Sequence, residues 1–210
     1  MSRSFATQRL AGRRRAFKES GCPRVCVQYR EDAIRFQNVL PKRLGKFALS
    51  LEPSKTKLVE FGRFAWKYAS KHGRRRPETI YFLGFTLYCT RNRQGNYKVG
   101  LRTEKSRLLR SMAALRELMQ RMRHLPVREQ AVNLNRVLRG HYAYYGIAGN
   151  FRALKRLHRF VERYWRKMLS SRSRKGYVTW EACLRIKTSH PIMPPKLHRP
   201  YPALQRRAVL

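Results

Sequence analysis

Three successive stretches between residues 108 and 168 carry apolar side chains at helical spacing, and no other pattern in the chain limits its fold so tightly. In the first, Leu108, Met112, Leu115, Met119 and Met122 step by four, three, four and three residues. That spacing lays one apolar stripe along a helix. The second opens at Pro126, a residue suited to a first helical turn, and continues through Val127, Ala131, Leu134 and Leu138. The third follows Asn150, a favourable N-cap, and turns Leu154, Val161, Trp165 and Met168 inward. Gly176 is expected to close it. Such stripes form a core far more often than a cofactor pocket, and each can be buried only against the others. The pattern predicts a three-helix bundle.

What surrounds the stripes is cationic, with Arg107, Arg110, Arg116, Arg121 and Arg123 covering the first helix. The whole chain sets 49 Lys+Arg against 11 Asp+Glu, a formal charge of +38. Self-repulsion on that scale opposes compaction unless a polyanion or counterions screen it. Nucleic acid is the expected partner, held largely without regard to sequence. No lipidation motif or long apolar run argues for a membrane. Hydrophobic residues make up 42% of the chain, enough for a packed interior. Cys22, Cys26, Cys89 and Cys183 are scattered, without zinc spacing or a disulfide framework, which points to a reducing compartment.

Upstream of the bundle the pattern changes. Residues 1–24 are basic and lack the apolar segment of a secretory signal, leaving a phosphate-touching arm or an organellar presequence. Ile34, Phe36, Leu40, Leu44 and Phe47 recur at near-helical spacing, with Pro41 expected to kink the helix or start a new turn. Leu49 to Phe61 reads as two short extended pieces around a turn at Pro53, the second being Lys57–Phe61. Residues 70–77 form a cationic loop, and Glu78 to Tyr88 is β-prone around Gly84. Asn92 to Asn96 is a turn signal, after which Tyr97, Val99 and Leu101 alternate, predicting a hairpin. Beyond the bundle, Thr179 is placed to cap a short helix through about Lys187. The last twenty residues hold five prolines and should lie extended over the bundle or its ligand. The class is α+β.

The stretch Leu138-Arg-Gly-His-Tyr-Ala-Tyr-Tyr-Gly146 stands out within the second helix. Tyr142 and Tyr145 share a face with Leu134 and Leu138, while His141 and Tyr144 point elsewhere. Buried tyrosines at a core edge explain the first pair. Aromatics among cations also suit RNA, so Arg139, His141 and Tyr144 are candidate RNA contacts. Lys55 and Lys57 flank a turn and are candidates for reaching phosphate.

Four ordered segments carry a wider likeness. They are Leu51-Glu-Pro-Ser-Lys-Thr-Lys-Leu-Val-Glu-Phe-Gly62, Phe82-Leu-Gly-Phe85, Arg139-Gly-His-Tyr-Ala-Tyr-Tyr-Gly146 with Gly149-Asn150, and Thr179-Trp-Glu181. Through them the chain from about Gln28 to Pro202 resembles the C-terminal part of bacterial-type group II intron reverse transcriptase/maturases. The resemblance implies that residues 27–102 look like the end of a polymerase palm. Residues 103–176 then look like the thumb, or domain X, and residues 177–210 add a short helix and a Pro-rich basic extension. Residues 1–26 match nothing in that family and are expected to be a disordered basic leader. Phe82, Leu83, Gly84 and Phe85 correspond to the primer-grip hairpin. The implied partners are structured RNA, group II intron RNA above all, and an RNA/DNA duplex.

Polymerisation in that family uses Mg²⁺ held by paired palm aspartates. This chain has one aspartate, Asp32, and Tyr29-Arg-Glu-Asp32 is out of register with the family's Tyr-X-Asp-Asp loop. Glu31 and Asp32 are expected on the first turn of a helix, facing its dipole. The chain is therefore expected to bind RNA without a catalytic residue or cofactor of its own, a separate chain supplying fingers and catalytic palm. The bacterial cytoplasm is the expected compartment, with an organellar matrix the alternative. A basic RNA-binding protein of ribosomal type and a gene fragment without function are the competing readings.

Overall fold

The computed structural model describes residues 16–17, 24–52, 56–173 and 176–200. The chain divides into two compact units between Gly100 and Leu101, and each is described by itself.

In the second unit the stripes become α3 (Lys105–Arg121), α4 (Val127–Tyr145) and α5 (Phe151–Ser170). Leu108, Leu115, Met119 and Met122 are buried against Ala131, Leu134, Leu138 and Tyr142 of α4 and against Leu154, Val161, Trp165 and Met168 of α5. Met112 and Val127 are half-buried at the edge of this cluster. Burial of a Leu- or Val-sized side chain contributes about 1.5–3 kcal/mol, so the shared interior dominates the stability of this unit. Leu157 and Leu169 join the α5 face and also belong to the core.

Polar side chains hold the helices in register. The buried Trp165 indole donates to Gln130 Oε1 at 2.8 Å. Gln130 Nε2 in turn donates to the carbonyls of Arg123 and Leu125, at 3.1 and 3.0 Å, at the end of α3. Arg172 reaches the same two carbonyls from beyond α5, at 2.8 and 2.6 Å. One glutamine thus ties the α3–α4 turn to α5, a role with no sequence signature.

Three helix ends depart from expectation. Pro126 is the N-cap of α4 with extended backbone, one residue before the helix proper. Asn150 is the N-cap of α5, yet its side chain makes no capping bond. Its Oδ1 accepts from Thr103 N at 2.7 Å, and its Nδ2 donates to Thr103 Oγ1 and Tyr145 O at 2.7 and 2.8 Å. Burial favours that use, because Thr103 and Asn150 are both sequestered and their polar atoms must find partners inside. α5 ends at Ser170 with Ser171 as C-cap, and Gly176 lies beyond the helix instead of closing it.

Thr179 Oγ1 accepts from Ala182 N and starts α6 (Trp180–Ser189). The following segment runs extended over the bundle. Ile192 enters the core, while Asn135 bonds Pro191 O and Met193 N at 2.9 and 2.7 Å. His198 N and Arg199 N donate to Gly146 O at 2.7 and 2.9 Å, and Ala148 N returns a bond to Arg199 O. Gly146 is required here, since a Cβ would sit 2.2 Å from Tyr142 O and 2.9 Å from Lys196 O. Residues 201–210 lie outside the described ones.

In the first unit, Ala16–Phe17 (β1) pairs antiparallel with Arg24–Val25 (β2), where no strand is expected. The remainder of the leader, with Cys22, lies outside the described residues. α1 (Arg30–Gly45) runs through Pro41. Gln37, whose carbonyl loses its helical donor at Pro41, is exposed and can turn that oxygen to solvent. The predicted apolar stripe of α1 is not a core: Ala33 is its one buried residue. Pro53 falls outside the described residues, and Lys57–Phe61 is not a strand. That segment pairs with no edge and instead buries Phe61 against Ala65, Ile80 and Cys89. The cationic loop is shorter than predicted, because α2 (Ala65–Lys71) extends into it.

β3 (Ile80–Phe82), β4 (Phe85–Arg91) and β5 (Tyr97–Thr103) form a sheet in that order. Phe82 opposes Phe85, so Leu83 and Gly84 form a two-residue turn. Both have positive φ, 51° and 71°, as a turn matched to strand twist demands. The β4–β5 turn is held by Asn92 Oδ1, which accepts from Gln94 N and Asn96 N. The alternation expected of β5 fails, since Val99 is exposed and Gly100 is buried. The Tyr88 ring takes the space of a Gly100 side chain: a Cβ there would lie 2.4 Å from it. Among the described residues no helix is long and apolar enough to cross a membrane.

Candidate nucleic-acid interface

Among the described residues, the long helix with the sharpest division into two faces is α5. Its inner face is Leu154, Leu157, Val161, Trp165 and Met168, all buried. Its outer face repeats cations at the same spacing: Arg152, Lys155, Arg156, Arg159, Arg163 and Lys167. These six line a concavity of about 730 Å³, whose floor includes Met112 of α3. No carboxylate lines it. Glu162, the acid of α5, is occupied on another side by Lys187 and by His158 Nδ1 at 3.5 Å. Six positive groups around one hollow, with none neutralised from within, focus a field that attracts a polyanion.

Two aromatics share the hollow. Phe160 and Tyr164 stack with centroids 5.7 Å apart and planes inclined by 17°. The Arg116 guanidinium stands 5.5 Å over the Tyr164 ring and Lys167 Nζ 6.0 Å from it. Gln120 Nε2 donates to the Tyr164 hydroxyl at 3.1 Å, fixing the ring. Cations for phosphates and rings for bases therefore occur together. None of these α5 groups was singled out from the sequence, although its signal is there: cations at i, i+3, i+4, i+7 and i+11 from Arg152.

The tyrosine-rich end of α4 separates into inner and outer members. Tyr142 is fully buried and Tyr145 packs beside it. Tyr144 is 51% exposed, with its ring edge-on to Tyr145 at 4.8 Å, and Arg139 is exposed. His141 turns inward: its ring lies 4.5 Å from that of Tyr145, and its Nε2 is buried without a hydrogen-bond partner. Burial pushes its pKa down to about 4, so the imidazole is neutral at pH 7. Arg139 and Tyr144 therefore remain the surface members of the sequence-derived trio.

The other sequence-derived positions lie in the first unit. Lys57 Nζ is 3.2 Å from Glu78 Oε1, which also pairs with Arg74. Lys55 lies outside the described residues. Along the β3–β4 turn Phe85 is buried, Phe82 and Gly84 are half-buried, and Leu83 is exposed. Glu31 and Asp32 occupy the first turn of α1. Among the described residues no three of His, Cys, Asp or Glu gather into a metal-ligand cluster.

Comparisons with known proteins give one assignment. Neither the curated proteins nor the solved structures include a match. Residues 108–185, from the first turn of α3 into α6, match the family model described as group II intron, maturase-specific domain. Over those residues the helical unit of this chain is similar to the group II intron maturase-specific domain.

Proposed function

We propose that the chain binds structured RNA, group II intron RNA in particular, through the α5 hollow, and serves splicing or mobility of the intron. The observation that carries this reading is the hollow itself, six cations and two aromatics with no carboxylate. Arg139 and Tyr144 on α4 would add contacts outside it. In this reading the bundle acts as a thumb, and Phe82 to Phe85 support a primer end when an RNA/DNA duplex is held. With Asp32 as its single aspartate the chain does not polymerise alone. Fingers and a catalytic palm from outside these residues would bring the Mg²⁺ site.

The test is filter binding of a structured intron RNA to the full chain and to a variant carrying Arg156→Gln, Arg159→Gln and Arg163→Gln. A loss of at least about tenfold is expected, the equivalent of one charge-assisted phosphate contact of about 1.5 kcal/mol. Undiminished binding by a folded variant would refute the assignment of the hollow.

A further inference from the structure

We infer that the α5 hollow receives an unpaired nucleotide, its base stacked on Phe160, and so prefers single-stranded or bulged RNA to an unbroken duplex. The inference rests on the reading of this hollow as an RNA site and adds the form of RNA that fits it. In an unbroken duplex the base faces are covered by one another, leaving phosphates, hydroxyls and groove edges to be touched. Cations alone would serve that surface. An aromatic ring gains a partner only when a base is splayed out.

Phe160 has no polar atom and contributes nothing to phosphate binding, yet it stands in the middle of the cationic row. Arg156, Arg159 and Arg163 lie four before, one before and three after it, so phosphates on either side of a stacked base would find partners. Its neighbour Tyr164 is already engaged, by Arg116 and Lys167 near its ring and by Gln120 at its hydroxyl. Among the described residues no cation stands over Phe160, which both packs on the bundle core and lines the hollow. The pair is near-parallel at 17°, so Tyr164 backs Phe160 as a rigid support, built before any ligand arrives.

The experiment compares a short oligouridylate with an unbroken RNA duplex, each titrated against the full chain. Phe160→Leu keeps an apolar side chain against the core and removes the ring. Loss of one stacked base is worth about 1 kcal/mol or more, so oligouridylate affinity should fall at least about fivefold while duplex affinity stays unchanged. Phe160→Trp should restore the oligouridylate. Equal losses on both probes, or none on either, overturn the inference.

A second readout needs no variant. A 2-aminopurine in the middle of the oligouridylate should be quenched on binding the native chain, and an unquenched bound probe also overturns the inference. The variant with Arg156→Gln and Arg159→Gln should weaken both probes. If it weakens neither, the hollow is not an RNA site and both readings fall. If it weakens both while Phe160→Leu weakens neither, only the stacking inference falls.

Discussion

The helical unit and the N-terminal unit are both basic, and both contain helices with recurring apolar residues, but only one builds a deep core from them. Among the described residues, fifteen buried ones interlock across α3, α4, α5 and the extended segment, against four around Phe61 in the first unit. The difference lies in spacing and partners. The stripes of α3, α4 and α5 each meet another stripe, so every helix covers its neighbours. In α1, Ile34 is 40% and Val39 56% exposed, and Ala33 alone is buried. An apolar period predicts a helix; a core forms only when the fold supplies a second apolar face to meet it.

That contrast can be broken by substitution. Trp165→Ala should cost about 3–5 kcal/mol, enough to unfold the bundle or bring it close, as read by thermal denaturation followed by circular dichroism. Asn150→Ala comes next, at about 2–3 kcal/mol, because it strands the buried Thr103 amide and hydroxyl. Urea midpoints would measure it, and a near-neutral result would mean that solvent reaches Thr103.

Acidification should act in the same unit with smaller effect. His141 is held near 4 by burial, below its ordinary 6.5, and burial also lowers His158 despite Glu162 beside it. Between about 6.5 and 4 the unfolded chain takes up protons that the folded one refuses, so stability is full above this window and falls as pH drops through it. His141→Gln should flatten part of that slope in urea midpoints taken across the window. Smallest of all, Val39→Ser in α1 should move stability by no more than about 0.5 kcal/mol. A larger loss would show that the face of α1 is covered.

Helix existence in the second unit was legible because periodicity reports directly on burial, and Leu108, Leu115, Leu134 and Val161 all lie where the stripes put them. The β4–β5 turn was legible through Asn92 and Gly95, residues chosen for backbone conformation, whereas the turn at Leu83 and Gly84 falls inside a stretch that reads only as β-prone. What escaped the sequence depends on partners distant in the chain. Asn150 reads locally as a cap, but a buried threonine forty-seven residues away competes for its amide. Lys57–Phe61 has β propensity and no edge to join. His141 counts as an RNA contact by residue type, and only the packed structure turns it inward. The cationic row of α5 was present in the residues but looks like any solvated helix face until α3 closes the other side of the hollow.

The central claim is that phosphates sit against the outer face of α5, and the salt dependence of RNA binding tests it most directly. The logarithm of affinity should fall linearly with the logarithm of salt concentration, and each lost phosphate contact should shallow the slope by roughly 0.7–0.9. The variant with Arg156→Gln, Arg159→Gln and Arg163→Gln is predicted to lose about two units of slope relative to the native chain, by that same increment. An identical slope for both proteins would contradict the account, placing the RNA on some other part of this charged surface.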